Sequence, residues 1–154
     1  MTFRIRGLDP EPFAPLFELP DAALQARCAR RIRIDQPHSA PCRIGLDDAE
    51  LGEDVLLLAY QHQPARSPFR ASGPIFVRRG QAAFDAEGVV PPALARRTLS
   101  VRAYDAEAMM IEGELCEGSA LARLLKSWLA RPEIEVVHLH YARRGCYAAL
   151  AERV

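Results

Sequence analysis

The chain has 154 residues, no formal net charge, 49% hydrophobic and 26% charged side chains. A chain of this length buries about 70% of the surface it exposes when unfolded, so it can build a core without disulfide or metal staples, and one domain over residues 1–154 is expected. The balanced charge excludes a basic nucleic-acid footprint at whole-chain level, and no run approaches the ~18 apolar residues of a membrane helix.

"TFRIRGL" opens the pattern: Phe3 and Ile5 alternate with Arg4 and Arg6, a short strand. In "LDPEPFAPLF" Asp9 is placed to cap a helical turn with Pro10 in its first position. In "LPDAALQAR" Asp21 is placed as a second cap before a short helix. "RRIRID" alternates again, with Ile32 and Ile34 on one face. Residues 35–53 have no sustained period and read as a long loop, with a short strand around Cys42 to Leu46.

"DVLLLAYQHQP" is an unbroken apolar run, as in a strand covered on both faces, and Pro64 ends it. The donor-rich loop "ARSPFRASG" leads to the strand "PIFVRR", and prolines open a short helix at "VVPPALARR". "TLSVRAYD" and "AMMIEGELC" suit a hairpin across "AEA". "GSALARLLKSWLARP" predicts the one long helix: Leu121, Leu124, Leu125, Trp128 and Leu129 form an apolar stripe, with Ser119 as cap and Pro132 as stop. Two strands, "IEVVHLHYA" and "CYAALAE", close the chain. The irregular order of strands and helices predicts an α+β fold. Its expected form is a mainly antiparallel sheet with one long amphipathic helix packed on a face and several short helices.

Three groups of side chains carry chemistry. On a strand, His138 and His140 point to the same face. H-x-H is one way to place two imidazoles around a metal, with His62 or Cys146 as third ligand. The competing reading is two structural imidazoles, and a metal-free protein without cofactor is expected. Cys146 follows the short turn "ARRG", which brings it back alongside the histidine strand. With His140 as base and Arg143 and Arg144 nearby it would serve as a nucleophile, although free cysteine is among the most buried residue types. The arginines form the third group. Arg43 lies in a loop, Arg70 in "SPFRASG" beside Ser67, and Arg102 shares a strand face with Ser100 and Tyr104. Guanidinium and hydroxyl groups beside a glycine turn are the parts of an anion cradle.

The phrases "PCR" at 41–43, "HQPARSPFRASGPIFVR" at 62–78, "VRAYD" at 101–105, "MM" at 109–110 and "HLHYARRGCYAA" at 138–149, with the opening "MTFRIRGL", occur in order along the chain. In these the sequence resembles the bacterial domain-of-unknown-function family numbered 1203. The resemblance implies a single domain and carries no activity, cofactor or residue role.

No secretion-signal pattern follows Met1, and the four cysteines form no C-x-x-C pair. A soluble, cytoplasmic protein with free thiols is expected. The leading functional expectation is binding of a small anionic ligand by Arg43, His62, Ser67, Arg70, Arg102 and Tyr104, with His140 in the same pocket. The alternatives are an enzyme using Cys146 with His140 or a metal on His62, His138 and His140, and a structural or protein-interaction module. Neither a nucleic acid nor a membrane is an expected partner, and oligomeric state is left open.

Overall fold

Alternating apolar residues pair into two antiparallel sheets in the computed structural model, which describes residues 2–154. The larger sheet has the order β5-β1-β9-β8-β6-β7, built from β1 (Phe3–Arg6), β5 (Asp85–Glu87), β6 (Thr98–Tyr104), β7 (Met110–Glu117), β8 (Val136–Tyr141) and β9 (Tyr147–Arg153). The smaller sheet has the order β2-β3-β4, built from β2 (Ala29–Arg33), β3 (Asp54–Gln63) and β4 (Ala71–Val77). Helices are few: α1 (Asp21–Ala26), α2 (Pro92–Ala95), α3 (Leu121–Leu129) and two 3-10 turns, Ala14–Glu18 and Gly118–Ala120.

The α+β expectation is thereby overturned. Among the described residues the fold is two largely antiparallel sheets, and its only helix longer than two turns, α3, has nine residues. The apolar stripe is real: Leu121, Leu125, Trp128 and Leu129 are buried. The helix is short because both ends are held by other contacts. Ser119 makes no capping bond, since Gly118–Ala120 winds as a 3-10 turn. Gly118 is pressed against α2, where an added Cβ would lie 2.0 Å from the carbonyl oxygen of Leu94 and 2.6 Å from that of Ala95. At the far end Arg153 of β9 donates to the carbonyls of Leu129 at 3.2 Å, Arg131 at 2.9 Å and Ile134. Those are orphan carbonyls of the helix end and the turn after it.

The main core lies between the larger sheet and α3, with Phe3, Ile5, Leu99, Val101, Val137, Leu139 and Ala149 facing the helix stripe. A second core packs Phe13, Phe17 and Leu24 against Leu56, Leu58 and Ile75 of the smaller sheet. A third, small cluster of Ile34, Ala40, Ala49 and Val55 seals the long loop against that sheet. This loop makes no strand at Cys42–Leu46. It has two isolated bridges, Pro41–Asp48 and Cys42–Phe76, and buries Cys42, Ile44 and Leu46. β6 and β7 form the expected hairpin. The three-residue strand β5, which Arg4 grips through Asp85, lacks any sequence period.

Three substitutions test this packing. Gly118→Ala should destabilise the protein by ~3 kcal/mol or more, because backbone meets backbone and neither side can yield. Gly113→Ala, where an added Cβ meets nothing within 4 Å, should change stability by less than ~0.5 kcal/mol. Arg153→Met should cost about 1–3 kcal/mol by stripping the carbonyls after α3 of their donor. Urea denaturation of the three variants measures all of this.

Candidate functional site

The larger sheet turns its second face toward the end of β3. Along β6, Leu99, Val101 and Ala103 go into the core, so Ser100, Arg102 and Tyr104 must point the other way. The register places His140 opposite Ser100 and His138 opposite Arg102. On β9, Tyr147 pairs with His140 across a bulge. From the smaller sheet, Leu56, Leu58, Tyr60 and His62 alternate along the inner side of β3, with Leu56 and Leu58 in the core. A register shift between Tyr60 and Gln63 delivers His62 to the histidines of β8.

The result is a packed group of aromatic and imidazole rings. His62 stacks on Tyr147 at 5.4 Å between centroids, with an interplanar angle of 10°. It meets His140 edge-on at 5.0 Å, and His138 at 6.4 Å. Tyr104 lies 4.8 Å from His138. His138 and His140 are almost wholly buried. Burial pushes the pKa of His138 down to about 4, with His62 and Arg102 adding to the effect. Burial pushes that of His140 down to about 3, although its bond to the Gly145 carbonyl opposes the shift. Both rings are neutral at physiological pH. Three ring nitrogens in the group are buried without a hydrogen-bond partner: Nδ1 of His62, Nδ1 of His138 and Nε2 of His140.

Arg102 borders these rings. Its Nε donates to Ser100 Oγ at 3.2 Å, and no carboxylate lies within 4.0 Å of it among the described residues. Its neighbour on β7 is Gly113, which leaves open space above the strand. Phe69 packs edge-on against Tyr104 at 6.2 Å.

The remaining expected residues have other surroundings. Ser67 donates to the carbonyl of Ala108 at 2.9 Å and accepts from the N–H of Phe69, so its hydroxyl pins the 64–70 loop to the β6–β7 turn. Arg70, in that loop, is exposed, and its guanidinium has no hydrogen-bond partner or carboxylate among the described residues. Arg43 is buried. It donates to the carbonyls of Tyr147, at 2.7 Å, and Pro41, and lies over the ring of Tyr141, 4.9 Å from its centroid. It therefore ties the long loop to β8 and β9. Cys146 is half-buried, and its Sγ has one weak contact, the carbonyl of Arg144 at 3.8 Å. His140 uses its Nδ1 on the carbonyl of Gly145, and no hydrogen bond joins it to Cys146. Among the described residues no group of three or more His, Cys, Asp or Glu side chains is arranged to hold a metal ion. His62 meets both His138 and His140 edge to face. Tyr147 and Gly113 went unread in the sequence. The turn before β9 was the one available sign that Tyr147 returns beside His140.

A concavity of about 490 Å³ lies elsewhere, on the smaller sheet between Cys28, Arg30, Leu57 and Pro74. It brings together no unpartnered buried polar atoms, and the candidate site is therefore placed at the histidine–Arg102 face.

The buried histidines make stability depend on pH. Between the ordinary value of 6.5 and about 4, the unfolded chain binds protons that the native rings refuse. Stability therefore falls as pH falls through this window, by up to about 1.4 kcal/mol per pH unit for each ring. His138→Phe should reduce that slope by about one ring's share. Urea titrations at pH 7, 6 and 5 measure it, and an unchanged slope in the variant would contradict a buried neutral His138.

No helix among the described residues is long and apolar enough to cross a membrane. No curated protein and no solved structure matches the chain. A family model described as a protein of unknown function, DUF1203, matches residues 39–153, which include every residue of the site. The chain belongs to that family.

Proposed function

We propose that the chain binds a small anion, a carboxylate or phosphate, on Arg102 at the edge of the histidine group. The observation that carries this reading is a half-buried guanidinium with no carboxylate, set beside buried rings that stay neutral. The other half-buried arginines are answered by carboxylates or backbone carbonyls: Arg4 by Asp85, Arg31 by Leu19, Arg78 by Glu53, Arg97 by Asp48, Arg131 by Glu112 and Arg153 by the carbonyls after α3, whereas arginines without a partner, such as Arg70, are exposed. A charge taken partly out of water without a partner costs free energy. A bound anion removes that cost, and a guanidinium offers it two parallel donors.

Ser100 adds a hydroxyl. Its oxygen accepts from Arg102, which leaves its own proton to donate. Tyr104 and Phe69 wall one side. Gly113 leaves the approach open, since any larger residue there would stand beside Arg102. Arg70 sits in the loop that Ser67 fastens near Tyr104, and contributes long-range attraction rather than a contact. All four cysteines are free thiols, which supports a reducing, cytoplasmic setting. The enzyme reading through Cys146 has less support, because the thiol and the imidazole are not hydrogen-bonded.

Succinate and phosphate titrated into the protein should raise its melting temperature by mass action and shift amide signals of β6 and β8. A single exposed-edge guanidinium site corresponds to a dissociation constant of roughly 0.1–1 mM. Arg102→Gln should abolish the effect, and Arg102→Lys should weaken it ~10-fold by losing the paired donors. Gly113→Val should weaken it with the fold intact, whereas Arg70→Gln should change it less than Arg102→Gln. Equal binding by wild type and Arg102→Gln would remove the proposal.

A further inference from the structure

The acceptor side of the site narrows the ligand. The Nδ1 of His140 lies 2.9 Å from the carbonyl oxygen of Gly145. A carbonyl can only accept, so Nδ1 carries the proton. Gly145 is held at φ 76°, a conformation that suits glycine, and this turns its carbonyl toward the ring. In a neutral imidazole the other nitrogen is then a bare lone pair. That nitrogen, Nε2, is buried and has no partner. It needs a donor, and the surrounding side chains provide none.

The neighbours determine what kind of donor fits. Ser100, directly opposite His140, is bonded to Arg102 and makes no bond to the ring. Arg102 is one pair further along, a diagonal neighbour of His140. Diagonal side chains on adjacent strands lie ~7–8 Å apart at their bases, and a small molecule spans the gap between their tips. The positive charge of Arg102 disfavours a cationic donor in the same space. A hydroxyl is neutral and donates. The rings nearest to His140 are His62, at 5.0 Å and only half-buried, and Tyr147, at 5.7 Å. A ligand reaches the buried Nε2 only if a covering ring turns aside, and His62 is the more exposed of the two.

From this geometry we infer that the ligand is a small hydroxylated anion, its anionic group on Arg102 and Ser100 and its hydroxyl donating to Nε2 of His140. The inference rests on the anion-binding reading and adds the hydroxyl to it. His140 is a specificity-determining residue: it favours a hydroxy acid over the same acid without the hydroxyl.

Malate and succinate differ by that one hydroxyl, and they are the probes. In ¹⁵N-histidine-labelled protein at neutral pH, His140 should show a protonated Nδ1 and an unprotonated Nε2. Malate should bind ~3–10-fold more tightly than succinate, the worth of one added hydrogen bond. It should also shift the Nε2 resonance toward that of a hydrogen-bonded nitrogen, which succinate should not do. In His140→Phe the ratio of malate to succinate affinity should fall to about one. The wild-type spectra decide the matter even if that variant fails to fold. Equal affinities with an unmoved Nε2 would overturn the hydroxyl inference and leave the anion site standing. Binding of neither acid would overturn both. A protonated Nε2 in the free protein would overturn the inference on its own.

Discussion

The pleat of β8 is the constraint on which this structure depends. Six residues, Val136–Tyr141, must satisfy two environments at once. Val137 and Leu139 enter the core against α3, so His138 and His140 have no choice but the opposite face. That face is covered by the end of β3, and the imidazoles are buried. Burial removes their charge. A one-residue slip of register would exchange the two sets and place imidazoles in the apolar core. Apolar pairing with β6 and β9 therefore fixes both the core and the neutral rings.

The arginines show how the chain handles charge around that frame. Nearly all of the basic residues are arginine, and the fold uses the planar guanidinium as a structural clip. Arg153 gathers the carbonyls after α3, and Arg43 joins the long loop to β9 through the carbonyl of Tyr147. Arg96 and Arg97 share Asp48 with His38, which closes that loop over α2. Burial draws the Arg43 pKa down, and its answer is two carbonyls and an aromatic face. Arg102 differs in kind, with a single hydroxyl for a partner and open space on its flank. That difference supports a ligand site there rather than at the other arginines.

Much of the local structure was legible in the sequence because alternation is a strong signal. β1, β6, β7 and β8 lie where their apolar residues alternate or run, and the shared face of Ser100, Arg102 and Tyr104 followed from spacing alone. The α+β class failed on helix length. A stripe of leucines reports which face is buried, not how many turns form, and the tight approach of Gly118 to α2 is a tertiary fact. Arg43 and Ser67 resembled anion ligands because a loop sequence does not reveal which backbone carbonyl a side chain will meet. The meeting of His62 with His140 and Tyr147 was partly legible. His62 ends an apolar strand, but the bulge that aims it and the return of Tyr147 depend on sheet pairing.

The most direct test of the account is the position of a bound anion. Crystals of the protein soaked in selenate can be measured at the selenium edge, where anomalous scattering locates each ion. The account predicts an ion within hydrogen-bonding distance of the Arg102 guanidinium and Ser100, beside Gly113 and facing the histidine group. Ions found only at exposed arginines such as Arg70 or Arg143, with Arg102 bare, would contradict it.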